Sequence, residues 1–219
     1  MANKHQSADY EQSENDWYKE PRNCVEQLFD AVDFPHGTIW DPACGTGNIL
    51  DVARDRGFST VGSDVVQRGA RHPFYRQNFL TSTRWPKAVN DCLSIVTNPP
   101  FNNPPGAALN FIEKALDTIP FKRAAFILPI EFTCGQDRYE RLFSKQPPSH
   151  VGFYSQRPSM PPGHLVEQLG DKAYKGGKTD FVALVWTAGG PYRTEAIWFK
   201  PSRSASPSDA PLRRRKPGQ

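Results

Sequence analysis

Residues 37–57 read GTIWDPACGTGNILDVARDRG, and the fold class turns on how this stretch divides. GTIWD is a short apolar run with β-branched and aromatic residues, which predicts a buried strand ending near Asp41. NILDVARDRG carries a helical pattern that stops at Gly57. Between them lies DPACGTG, where Gly45 and Gly47 permit a tight turn and let a ligand approach backbone N–H groups that side chains would block. A strand, a glycine turn and a helix in this order mark the place where open α/β sheets bind nucleotide-like ligands.

The alternation continues on both sides. PRNCVEQLFDAV places Val25, Leu28, Phe29 and Val32 at helical spacing, with Pro21 suited to the first turn. Downstream, FSTVGSD, HPFYRQNF and CLSIVTN read as strands, AALNFIEKALDTI as a helix, AAFILPI as a strand and DRYERLF as a short helix. HVGFYS and TDFVALVW follow as strands, with TEAIWF a candidate eighth. This predicts an α/β domain with a mostly parallel seven-stranded sheet and helices on both faces. No helix separates the last two strands, so an antiparallel hairpin is expected at the end.

Composition bounds the rest. The 219 residues suit one domain, and 21 prolines with 16 glycines indicate a loop-rich one. No apolar run approaches the roughly 20 residues needed to cross a bilayer, and the polar start lacks a signal pattern, so a soluble cytoplasmic protein with no membrane partner is expected. Cys24, Cys44, Cys92 and Cys134 form no C-x-x-C pair, so neither a metal site nor a disulfide framework is expected. The net charge of +4 is compatible with a polyanionic partner. Residues 1–16 read as a mobile segment, 17–200 as the domain and 201–219 as a disordered basic tail closing on Arg213, Arg214, Arg215 and Lys216.

Asp64 ends the next predicted strand, where its carboxylate can accept both hydrogen bonds of a ribose diol. A dinucleotide fingerprint would place a third glycine near position 50, where Leu50 stands, which counts against a nicotinamide enzyme. No glycine-cradled, lysine-capped phosphate site exists, which counts against an NTPase. A ribose-bearing ligand without a pyrophosphate remains.

Residues 96–102, VTNPPFN, leave a buried strand for an amide, two prolines and an aromatic ring. Two prolines fix two φ angles, so Asn98 and Phe101 stand on a stiff platform. With DPACGTG upstream, NPPF resembles the catalytic motif of class I S-adenosylmethionine-dependent methyltransferases, and among them the DNA adenine-N6 enzymes. The resemblance covers residues 17–187 and implies a single Rossmann-like methyltransferase domain with S-adenosylmethionine as cofactor. It implies site-specific or weakly specific transfer of a methyl group to adenine N6 of a flipped-out base in duplex DNA.

The residue types suit that chemistry. An exocyclic amine on adenine is a poor nucleophile because its lone pair is delocalised into the ring, so acceptors must draw its hydrogens out of plane and stabilise growing positive charge. The Asn98 side-chain carbonyl and the Pro99 backbone carbonyl can do both, Pro99 and Pro100 hold them in place, and Phe101 offers a face for stacking the base. Relatives of the same fold methylate RNA bases or a protein glutamine amide, and those remain alternatives, with a non-catalytic binding module as another. Phe101, where those relatives more often carry Tyr, favours DNA.

The resemblance further implies that Asp41, Pro42, Ala43, Cys44, Gly45 and Gly47 hold the methionine end, Asp64 the ribose, and Asn78 with Phe79 the adenine, together with Asn98. Asn78 stands where the family usually has Asp. WYKEP resembles the upstream motif that closes over the cofactor, with Trp17, Glu20 and Pro21 the candidates. Tyr154 stands where related enzymes place a loop contacting the base, and Arg157, Lys172, Lys175 and Lys178 are candidate phosphate contacts. About 120 residues follow the catalytic motif, too few for a separate recognition domain. Sequence readout would fall to the loop 157–178, to the segment 65–90 or to a second subunit, so a homodimer is among the expectations.

Overall fold

The computed structural model describes residues 17–87, 93–101, 103–190 and 193–201. The segments expected to be mobile at 1–16 and disordered beyond Pro201 lie outside the described residues, as does Cys92.

Eight strands form one sheet: β1 Thr38–Asp41, β2 Ser59–Asp64, β3 Phe74–Arg76, β4 Leu93–Thr97, β5 Arg123–Pro129, β6 His150–Tyr154, β7 Phe181–Thr187 and β8 Glu195–Phe199. Their order is β3-β2-β1-β4-β5-β7-β6-β8. All strands run the same way except β7, which pairs antiparallel with both β5 and β6. The mostly parallel sheet is as expected, but among the described residues it has eight strands, and β7 and β8 do not pair as the expected terminal hairpin. β7 inserts between β5 and β6, and β8 pairs parallel to β6 on the far side. The reason is geometric. A strand reversing direction after β7 starts at the sheet end where β7 finishes, so a short link suffices to step over β6 as readily as to form a hairpin.

Helices α1 Arg22–Ala31 and α2 Asn48–Asp55 cover one face, and α3 Ala107–Thr118 covers the other with α4 Gln136–Arg138, which continues as a π-helical turn over Tyr139–Phe143. The strands explain why. Along β5, Ala125 and Ile127 join the core under α1 and α2, while Ala124, Phe126 and Leu128 join the core under α3. Ile39 and Trp40 of β1 divide the same way. A period of two with apolar residues at every step is the mark of a strand buried on both faces.

No α-helix occurs between β3 and β4 among the described residues. The loop from Gln77 lies instead against α3, held by Lys114, whose Nζ donates to Leu80 O at 2.8 Å and Ser82 O at 2.7 Å. The ammonium also sits over the rings of Phe79 and Trp85, which pack with Trp40 and Phe111. This fixes Phe79 beside the ends of β1 and β2.

On the outer part of the sheet, Gly152 of β6 lies directly under the ring of Phe199 in β8, and a methyl group there would overlap that ring. Phe199 is 1% exposed and has no room to retreat. Gly152→Ala should therefore destabilise the fold by about 1–3 kcal/mol, with urea denaturation reading the loss and amide exchange showing it first in β8.

Candidate active site

The carboxyl ends of β1, β2 and β4 converge on one cavity of about 210 Å³. Pro42 and Ala43 follow β1, Asp64 ends β2, and Asn98 with Pro100 follows β4; Asn78 and Phe79 close the side, and Trp17 with Tyr18 closes the top. The cavity thus gathers Trp17, Pro42, Ala43, Asp64, Asn78, Phe79, Asn98 and Pro100 from the predicted residues.

The glycine turn takes the predicted form. Gly45 and Gly47 both have positive φ, at +50° and +89°. Asp64 secures the turn, because Gly45 N–H donates to its Oδ2 at 2.9 Å. Its Oδ1 accepts from Val66 N–H at 3.1 Å and from Arg68 Nη1 at 3.0 Å. Arg68 lines the cavity and lies 4.5 Å from the Trp17 ring centroid, a cation–π contact. Trp17 in turn rests on Gly45 and Gly163. Asp41 is buried below the turn, where Ala43 N–H donates to its Oδ1 at 3.0 Å and burial raises its carboxyl well above the usual range. Cys44 is buried there as well. Asn78 accepts from Leu80 N–H at 2.9 Å through Oδ1, which forms the turn that directs Phe79 inward.

Asn98 carries the most informative hydrogen bonds. Its Nδ2 donates to Tyr18 O at 3.3 Å and to Glu20 Oε2 at 3.2 Å. Among the described residues its buried Oδ1 has no hydrogen-bond partner. Orphaned buried acceptors are uncommon because each forfeits the hydration that it had in water. The segment that supplies Tyr18 and Glu20 is itself held on both sides. Lys19 N–H donates to Pro161 O, Trp17 O accepts from Gly163 N–H, and Glu20 O accepts from Asn48 Nδ2. Pro21, expected at the cofactor, caps the start of α1 instead.

Phe101 is half-buried, stacked against Tyr18 at 6.2 Å between ring centroids and 18° between planes, with Phe181 on another side at 6.2 Å. Tyr154 departs from its expected place at the base. It is 8% exposed and packs edge-on to Phe199 in the core, because it falls on the inward face of β6. Arg157 pairs with Asp180 at 2.7 Å. Lys175 and Lys178 line a second recess of about 320 Å³ with Phe181, and Lys172 is exposed on a helical turn before it. Tyr18, Arg68 and Gln77 also line the first cavity; Tyr18 stands within WYKEP but is not among its candidates, and Arg68 and Gln77 stand in no motif.

No protein-family model and no curated protein matches the sequence. Solved structures do match. A protein from Vibrio vulnificus YJ016, described as a modification subunit of a type I restriction enzyme, superposes with a TM-score of 0.57 at 15% identity, over 86% of this chain and 48% of its own. One from Pyrococcus horikoshii, described as an RNA methyltransferase, gives 0.54 at 14% over 78% and 85% of the two chains. The 23S rRNA methyltransferase ErmE gives 0.51 at 14% over 81% and 72%. The chain has the Rossmann-like methyltransferase fold. At these identities the likeness establishes fold and not substrate, and the chain spans about half the length of the restriction modification subunit. Among the described residues no cluster of His, Cys, Asp or Glu could hold a metal, and no helix is long and apolar enough to cross a membrane.

Glu20 is buried, and desolvation raises its carboxyl from 4.5 to about 7, against the opposing pull of hydrogen bonds and Lys19. The native state therefore holds this proton more tightly than the unfolded chain. Its contribution favours folding below pH 4.5 and is lost as pH rises towards 7. The loss amounts to about 3 kcal/mol. Glu20→Gln should flatten that part of the stability profile, as measured by denaturation midpoints at successive pH values.

Proposed function

We propose that this chain transfers a methyl group from S-adenosylmethionine to the exocyclic amine of adenine in DNA. The observation that carries the reading is Asn98 Oδ1, a buried acceptor without a donor, in a residue that lines a cavity at the ends of parallel strands. An amine N–H of the substrate supplies the missing donor.

The residues present fit the cofactor. Among the described residues Asp64 Oδ2 takes only the Gly45 N–H, which leaves acceptor capacity for a ribose hydroxyl. Val65, Phe79 and the Asn78 amide form an apolar wall with a polar edge, suited to a purine. When bound, S-adenosylmethionine supplies an electrophilic methyl group on a sulfonium and departs as the neutral thioether. Arg68 must then share Asp64 or yield it, since Oδ1 already holds two donors.

On the substrate side, Asn98 Oδ1 and the Pro99 carbonyl accept the two amine hydrogens and draw them from the ring plane. That frees the nitrogen lone pair for the methyl carbon and stabilises the positive charge that grows on nitrogen. The rigid Pro99-Pro100 pair means that these acceptors need no reorganisation. Phe101, flanked by Tyr18 and Phe181, presents an apolar face beside them. The ammonium proton leaves after transfer, so no strong base is required. The exposed Lys175, which lines the recess with Phe181, and the exposed Lys172 suit phosphate contacts.

The same acceptors would serve an adenine in RNA or a glutamine amide, so the test includes those substrates. The protein is incubated with S-adenosylmethionine and duplex DNA, single-stranded DNA, RNA or whole-cell protein, and the digests are weighed by mass spectrometry. N6-methyladenine should appear in DNA, and Asn98→Ala should lower kcat by about 10²–10³-fold with cofactor affinity little changed. Methylation of RNA or protein alone would overturn the DNA assignment.

A further inference from the structure

Glu20 does not line the cavity, yet it touches the residue on which the chemistry rests. Two acceptors, Glu20 Oε2 and Tyr18 O, meet Asn98 Nδ2, and no donor meets Oδ1. A side-chain amide has a donor end and an acceptor end, so whatever holds the nitrogen also aims the oxygen. Tyr18 O is a backbone acceptor that cannot change character. Glu20 can.

Resting on the methyl-transfer reading above, we propose that Glu20 is a positioning residue that keeps the Asn98 oxygen available to the substrate amine only while its carboxylate is ionised. An ionised carboxylate is purely an acceptor and can meet only Nδ2. A protonated carboxyl gains an O–H donor. The amide then turns so that Oδ1 accepts from Glu20, which gives up the 3.3 Å bond to Tyr18 O but satisfies the buried orphan and directs Nδ2 at the substrate. An N–H facing an amine N–H stabilises no positive charge, and transfer stops.

Burial places this protonation near neutrality rather than in the acid range, with a midpoint of about 7. The groups that face Glu20 come from every element packed on it. Lys19 precedes it, Asp41 ends β1, Cys24 lies on α1, Tyr154 on β6, and Tyr174 on the loop before β7. Burial pushes Cys24 and Tyr154 upward, and Tyr174 up to about 12, so all three stay neutral through the relevant range. Asp41 is the other buried carboxyl that faces Glu20, and a Glu20→Gln variant separates the two. Gln keeps the volume of Glu and, like the protonated carboxyl, carries a donor beside an acceptor, but it cannot switch with pH.

The test begins with the cofactor-free and substrate-free protein. The Asn98 side-chain amide signal, assigned by its disappearance in Asn98→Asp, is followed by NMR across about two pH units either side of neutrality. The expected result is one titration with a midpoint of about 7 in the wild type and a flat response in Glu20→Gln. A flat wild-type signal, or one that titrates equally in Glu20→Gln, overturns the proposal. In methyl-transfer assays, kcat should fall about tenfold per pH unit below the midpoint. Glu20→Gln, which carries the donor of the protonated carboxyl at every pH, should lose kcat throughout the range while KM for the cofactor holds, and should show no acid limb. A Glu20→Gln variant that keeps the wild-type kcat, or keeps the wild-type acid limb, would overturn the proposal. A titrating Asn98 signal in a protein that methylates nothing would support the ionisation control of the amide and overturn the functional reading alone.

Discussion

The site depends on one short extended segment, residues 17–20. It bonds to the 161–163 turn through Trp17 and Lys19, to α2 through Glu20 O and Asn48, and to the NPPF loop through Tyr18 O and Glu20 Oε2. Three regions distant in sequence are thereby held to one strip of backbone. Local chemistry helps, because Glu20 precedes a proline and is confined to extended conformations, while Pro21 opens α1. Without this strip, Asn98 would keep its rigid proline platform but lose both acceptors that orient it.

The sheet beneath supplies rigidity, and the site spends part of it. Glu20 and Asp41 are buried carboxyls, and Asp64 stands close enough to Asp41 to raise it further. Asn98 Oδ1 is a buried acceptor without a donor. Each costs folding free energy that apolar residues in the same places would not. Asp41 ends β1 and Asn98 follows β4, so these two costs fall where strands give way to the site, while Glu20 reaches Asn98 from the strip before α1.

The strands were legible because burial on both faces leaves near-continuous apolar runs such as AAFILP and FVALVW. Their order at the far edge was not. An apolar pattern says that TEAIWF is a strand, but the step over β6 is decided by pairing partners that no local pattern encodes. Within the site, DPACGTG and NPPF identified the loops that meet, since both need unusual backbone geometry that only glycine or proline supplies. Tyr154 misled because a strand-end aromatic can face either way, and β6 turns it inward against Phe199. Arg68 and Tyr18 were missed for the opposite reason: they act through position alone, one by reaching back to Asp64 and the other by a backbone carbonyl. Glu20 was legible as a candidate, but its tie to Asn98 spans 78 residues of sequence.

The Trp17 indole lies across two glycines, one in the ligand turn and one in the 161–163 turn. Those three positions therefore form a single unit of inheritance. Neither Gly45 nor Gly163 can gain a side chain while the indole stays, and a smaller residue at 17 would open a void over both turns at once. Variation at any one of them is productive only in company with the others, so exchange of the amino-terminal segment between related chains must carry both glycine turns along with it.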